Sequence, residues 1–125
     1  MVKSFISMII VALILFGAAM YETYFVQKQF NELHQVLDVL YDKVDEKTAT
    51  IDDVYAVQNN WLDKKKYLHV FIPHNEIKEI DLWLSESATL VRDQQWEDAI
   101  SKIEVLKELS EQIPKTFTLS VENIF

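Results

Sequence analysis

One uninterrupted apolar stretch constrains the fold of this chain more than any other feature. From Ser4 to Tyr21 there are 18 consecutive residues without a charged side chain. A helix of that length covers roughly 27 Å, which lies within the range that spans the hydrocarbon core of a bilayer. We therefore predict a transmembrane anchor over residues 1–21, in contact with the membrane lipid bilayer through residues 4–21.

The charges on the two sides of this stretch predict its orientation. Lys3 precedes the stretch, whereas all 20 acidic residues and 11 of the 12 basic residues follow Tyr21, so the remainder carries a net charge of −9. Positive residues beside a span tend to stay in the cytoplasm. We expect a single-pass protein of the cell membrane with a cytoplasmic N-terminus and an extracytoplasmic domain over residues 22–125.

A cleaved signal peptide is the alternative interpretation of the same segment. The small residues Gly17–Ala19 stand before Met20, where a signal peptidase prefers them. Against cleavage, the polar lead is minimal, and the aromatic residues Tyr21, Tyr24 and Phe25 continue directly into a strongly helical sequence. A retained signal-anchor is therefore the preferred interpretation.

A seven-residue apolar repeat follows the anchor. No glycine or proline interrupts the run from Gly17 to Thr48, so the anchor and the repeat are expected to form one long helix. Val36, Val39 and Tyr41 widen the apolar stripe, which favours packing within a bundle over a two-stranded coiled coil. The repeat consists of Val26, Phe30, Leu33, Leu37, Leu40 and Val44.

Three further amphipathic segments predict helices over about residues 53–70, 75–92 and 95–114. Asp52 or Asp53 is expected to cap the first of these helices, and Asn75 the second. The expected fold is all-α: an N-terminal transmembrane helix continuing into an antiparallel bundle of about four helices. The absence of glycine after Gly17 disfavours sheet-rich and P-loop folds.

The last eleven residues are predicted to form a short non-helical tail after Pro114. Apolar and polar residues alternate there, as in a strand. The tail either folds back over the bundle or stays open for a partner, and folding back is preferred. Its candidate contact residues are Phe117, Leu119, Val121, Ile124 and Phe125.

Catalytic and metal chemistry find little support in the sequence. The chain has no cysteine, and His34, His69 and His74 stand at no recognised metal or catalytic spacing. We expect no enzyme activity, no metal and no cofactor. The acidic domain also disfavours nucleic acid as a partner.

The only basic run, Lys64, Lys65 and Lys66, is a candidate docking site for an acidic partner. The ordinary interpretation is a solvated helix flank near a helix C-terminus. Lys64 falls on the apolar stripe of its helix, so we expect its stem to cover apolar neighbours while its ammonium reaches water.

His69 and His74 lie on either side of Pro73 and could both face one small pocket with Glu76 or Glu79, where they would bind a metal or sense pH; a histidine that caps a helix end is the ordinary interpretation. In a sensor or ligand-binding protein, a pocket between the helices near Trp61, Trp83 and Trp96 would hold a small molecule. The candidate residues are Trp61, His69, His74, Trp83 and Trp96.

Several segments together resemble one known family. They are the short anchor, Trp61 with the lysine run, the helix start at His74–Ile77, the segment Trp96–Ala99 and the tail ending in Glu122–Ile124. The chain is similar to the domain-of-unknown-function family 4363, short membrane-anchored helical proteins from spore-forming Firmicutes. The resemblance implies a spore or cell-envelope setting alongside multi-span membrane proteins, and it implies no assigned activity.

The expected role is that of a non-enzymatic interaction or assembly partner of another membrane or envelope protein, with a multi-span protein as the expected partner. The alternative is an extracytoplasmic sensor or small-ligand-binding bundle. A sensor needs an output domain, and only three residues precede the predicted span, so signalling would require a partner.

Overall fold

Four helices make up the computed structural model, which confirms the all-α fold: α1 (Val2–Asp45), α2 (Ile51–Leu68), α3 (His74–Arg92) and α4 (Trp96–Ile124). The structure describes residues 1–124, and for Ile124 it describes the backbone alone. The predicted contact residue Phe125 and the side chain of Ile124 lie outside the described residues.

The helix α1 runs without a break from the apolar stretch into the bundle. Its N-terminal part is long and apolar enough to cross a membrane, and only 6% of that part is buried. Its C-terminal part forms one wall of the core. Each residue of the predicted repeat is at most 1% exposed: Val26, Phe30, Leu33, Leu37, Leu40 and Val44.

The bundle is antiparallel, as the contacts between α1 and α4 show. His34 Nε2 lies 3.1 Å from Glu111 Oε1, and Asp38 Oδ1 lies 2.7 Å from Lys107 Nζ. Residues later in α1 therefore meet residues earlier in α4. The principal contacts join α1 to α2, α2 to α3, α3 to α4 and α1 to α4, so the helices form a closed ring around one core.

The turns between helices form without glycine. Lys47, with φ of 62°, follows the end of α1, and Gln94, with φ of 57°, follows the end of α3. Both residues take the left-handed conformation that glycine usually supplies at a helix end. Their backbone amides donate to the carbonyl oxygens of Val44 and Val91, which satisfies groups that the helix ends would leave free.

The helix starts differ from the predicted caps. Thr50 caps α2, since its side chain accepts from the backbone amide of Asp53 while the Asp53 carboxylate accepts from the backbone amide of Thr50. Asp53 therefore closes the cap without being the capping residue. The prediction of Asn75 as a cap is wrong: α3 begins at His74, and Pro73 precedes it without a side-chain cap.

The prediction of a non-helical tail is also wrong, because α4 continues through Pro114 to Ile124. Ile113, Phe117 and Val121 recur at intervals of four, which places them on one face of a helix. Ile113 is buried, and Phe117 packs against the core. The strand-like alternation after Pro114 thus contains a helical period, and packing of that face outweighs the hydrogen bond that proline removes.

We expect Phe117→Ala to lower the melting temperature of the detergent-solubilised full-length protein by several degrees. Truncating a partly buried phenylalanine costs about 1–3 kcal/mol, less than the value for a full core position. Leu82→Ala is the control, because Leu82 is 55% exposed on α3. Circular dichroism melts measure both variants, and equal melting temperatures would show that the end of α4 is not packed on the bundle.

Candidate interaction surface at the junction of α1 and α4

The C-terminal end of α4 lies beside the part of α1 where the apolar stretch meets the bundle. Between the two helices runs a groove of about 540 Å³, which we call the junction groove. The Thr23 hydroxyl donates to the Ala19 carbonyl oxygen at 2.9 Å, so this polar group is satisfied within α1. The groove is lined by Phe16, Ala19, Met20, Thr23, Tyr24, Gln27, Thr118, Val121 and Glu122.

Aromatic rings from three helices and one turn fill the adjacent end of the bundle. Phe25 packs with its ring centre 6.4 Å from that of Tyr67 and 6.0 Å from that of Phe71. Phe71 in turn lies 6.1 Å from Phe117, and Tyr21 stacks on Phe25 at 6.4 Å. This aromatic cluster joins α1, α2, the α2–α3 turn and α4 where the apolar stretch ends.

A half-buried carboxyl group lies next to this cluster. Glu76, in the first turn of α3, lines a depression together with Glu22, Phe71 and Phe117. Burial raises the pKa of Glu76, and the nearby Glu79 raises it further. Because its folded-state pKa is above the unfolded value, ionised Glu76 opposes folding at neutral pH, and this effect is relieved as the pH falls through the folded pKa.

The structure places the three consecutive lysines in three different surroundings. Lys65 Nζ lies 2.8 Å from Asp81 Oδ2 on α3. Lys66 has a side chain that is 71% exposed and lies 3.7 Å from Asp63. The three ammonium groups therefore do not form one continuous basic surface.

The expectation that the Lys64 ammonium reaches water is wrong. The Lys64 side chain is 8% exposed and pairs with the Glu32 carboxylate, and its ammonium also donates to Gln29 Oε1 at 3.2 Å. Its position on the apolar stripe places the whole side chain between α2 and α1, where acceptors from α1 replace water. The hydrogen bond from Lys64 lowers the pKa of Glu32.

The aromatic pocket candidates serve mainly as packing residues. Trp61 is 1% exposed and donates through Nε1 to Asp81 Oδ1 at 2.7 Å. The Lys102 ammonium lies 4.5 Å from the centre of the Trp83 ring. Trp96 is partly buried at the start of α4. Trp61 is therefore buried, one face of Trp83 is covered by Lys102, and Trp96 packs against the core.

The two candidate histidines, His69 and His74, lie next to each other in the structure. The rings of His69 and His74 stack with centres 5.9 Å apart, across the turn between α2 and α3. Within residues 1–124, no group of three His, Cys, Asp or Glu side chains is placed to hold a metal ion.

Several residues of this surface are not among the candidates that the sequence predicts. Phe16, Met20 and Thr118 line the junction groove, and Tyr67 belongs to the aromatic cluster. The four-residue spacing of Ile113, Phe117 and Val121 could have revealed this surface. It predicts that α4 continues as a helix toward the apolar stretch.

The comparison with protein families matches the helical domain as a whole. The family model described as a domain of unknown function (DUF4363) matches residues 20–124. The chain belongs to the DUF4363 family. Searches of curated proteins and of solved structures find no match.

The part of the chain that matches DUF4363 begins inside the junction groove. Residues 20–124 include the bundle, the aromatic cluster and the groove residues from Met20 onward. The description of the DUF4363 family assigns no activity, so the role of this member must be inferred from its own surfaces.

The Lys64–Glu32 pair generates a test of how the bundle of this DUF4363 protein is held together. We expect Glu32→Ala to destabilise the protein at pH 7 by about 1 kcal/mol, since Glu32 is partly exposed and Gln29 remains an acceptor. Lys64→Met should cost less, because the carboxylate that it leaves without a partner, that of Glu32, is 45% exposed and can be hydrated. Lys66→Met is the exposed control.

The contribution of the Glu32 carboxylate to stability depends on pH in a defined direction. The folded-state pKa of Glu32 is lowered, so its contribution is complete above the unfolded pKa and is lost as the pH falls through the folded pKa. The stability difference between wild type and Glu32→Ala should therefore disappear in acid, as measured by urea unfolding. A difference that persists at the lowest pH would show that the ion pair is not its cause.

Proposed function

We propose that this protein is a single-pass membrane protein whose helical bundle binds another membrane or envelope protein and assists its assembly, without catalysing a reaction. The observation that carries the proposal is the junction groove. Its lining is mostly aliphatic and aromatic, and it lies where α1 passes from the exposed apolar stretch into the bundle. Apolar surface in such a place is typical of a binding site for another protein.

The exposure of the apolar stretch supports the membrane location. Phe5, Met8 and Leu13 are 65%, 69% and 64% exposed. A core helix of a soluble protein buries such side chains, whereas these would gain an apolar environment in lipid. The protein therefore needs a bilayer, or another apolar partner, to cover this part of α1.

The continuity of α1 supports a retained anchor over a cleaved signal peptide. The helix passes through Gly17–Ala19 without a break, whereas signal peptidase acts on an extended segment. Ala19 is 8% exposed and lines the groove beside α4. Cleavage after Ala19 would remove part of this packed surface.

A transmembrane or juxtamembrane helix is the partner element that fits the junction groove best. Helices pack closely in membranes where small side chains let their backbones approach, and the small residue Ala19 is part of the groove lining. The sensor alternative has weaker support, because Trp61 and Trp83 already make packing contacts.

We expect a photo-crosslinker attached to Val121→Cys to form a discrete adduct with an integral membrane protein in native membranes. The chain has no cysteine of its own, so within this chain the crosslinker attaches at the introduced cysteine alone. Tyr55→Cys, on the exposed face of α2 near its start, is the control. Adducts that are absent at both positions, or equally abundant at both, would contradict a partner at the groove.

The orientation is a separate prediction. We propose that the C-terminus lies outside the cytoplasm, and Lys3 before the span supports this orientation. Protease added to intact protoplasts should remove an epitope fused after Phe125, while a cytoplasmic control protein stays intact. An epitope that is cut only after the membrane is permeabilised would reverse the assigned orientation.

A further inference from the structure

The end of the bundle nearest the apolar stretch carries a ring of exposed large side chains. Tyr21 and Tyr24 on α1 are 67% and 65% exposed, Tyr67 on α2 is 62%, Val70 in the α2–α3 turn is 81% and Leu119 on α4 is 59%. Three helices and one turn contribute to this ring, which we call the rim.

The height of the rim relative to the span follows from shared contacts. Val70 lines the same depression as Glu22, which is the first charged residue after the apolar stretch. Tyr67 packs on Phe25, one turn further along α1. The α2–α3 turn therefore lies level with the point where the span ends.

The end of α4 reaches lower still. Val121 and Glu122 lie beside Phe16, Ala19 and Met20, inside the stretch that would fill the bilayer. From Phe16 to Tyr21 the helix rises roughly 7.5 Å. With Ser4–Tyr21 filling the hydrocarbon core, the rim near Tyr21 lies at the boundary between that core and the head-group layer, and the end of α4 reaches about 7.5 Å below that boundary.

We propose that the rim is a second membrane contact, by which the bundle itself inserts into the lipid head-group layer and stands directly on the bilayer. Tyrosine rings are favoured at this depth because their apolar bodies and polar hydroxyls meet lipid and water together. The occupant is lipid because the rim is continuous with the lipid-facing part of α1.

Apolar insertion, and not attraction between charges, drives this contact. Glu22, Glu76 and Glu122 lie near the rim, and carboxylates gain nothing from anionic head groups. The contact should therefore form on phosphatidylcholine alone and persist in high salt.

The inference rests on the proposed span, and single cysteine variants of the full-length protein test the two separately. Spin labels at Val70→Cys and Leu119→Cys report the rim, a label at Leu13→Cys reports the span, and one at Tyr55→Cys reports the exposed far end of the bundle. The protein is reconstituted into phosphatidylcholine nanodiscs, and the collision rates of each label with oxygen and with a water-soluble nickel chelate are measured.

The rim labels should show several-fold lower nickel collision than the Tyr55 label and a depth between those at Tyr55 and Leu13. If Leu13 is shielded while both rim labels match Tyr55, the rim inference is wrong and the span stands. If the Leu13 label is also open to nickel, the span itself is wrong. If the rim labels are shielded in native membranes but open in the lipid nanodiscs, a protein and not lipid covers the rim.

Discussion

A single helix, α1, must satisfy two environments, and the rest of the structure depends on how it does so. Its N-terminal part exposes aliphatic side chains on all sides, whereas its C-terminal part presents one apolar face to α2 and α4. The change occurs between Ala19 and Val26, within two turns. Since α2 and α4 pack directly on α1, and α3 packs on those two, the position of every other element follows from the face that α1 presents.

The repeat within α1 was the most informative pattern in the sequence. Spacings of four and three fix which residues share a face, and that face is the one the structure buries. The number of helices also followed from the sequence, because each amphipathic segment is bounded by proline or by polar residues. The local sequence pattern was sufficient to predict these helices, because the same residues that favour a helix also place one regular apolar face toward the core.

The remaining features depend on contacts between distant segments. Pro114 normally ends a helix, and the packing of Ile113 and Phe117 against distant parts of the core, including Phe71, accounts for the continuation of α4. The surroundings of Lys64 could not be predicted either, because they depend on the register between α2 and α1 that brings Glu32 within reach. The junction groove has the same origin, since it exists only because α4 returns alongside Ala19 and Met20.

The pairing of α1 with α4 has a mechanical consequence. The two helices lie antiparallel, and α1 packs on α4 more extensively than on α2. A force pulling along the apolar stretch would make α1 slide along α4, so that contacts over several turns, including those of His34 and Asp38, would have to break together. Each such contact is weak, but the energies add when all of them must break together. The bundle would thus act as a stiff link, passing a displacement of the N-terminal helix to the distal end of the domain with little loss.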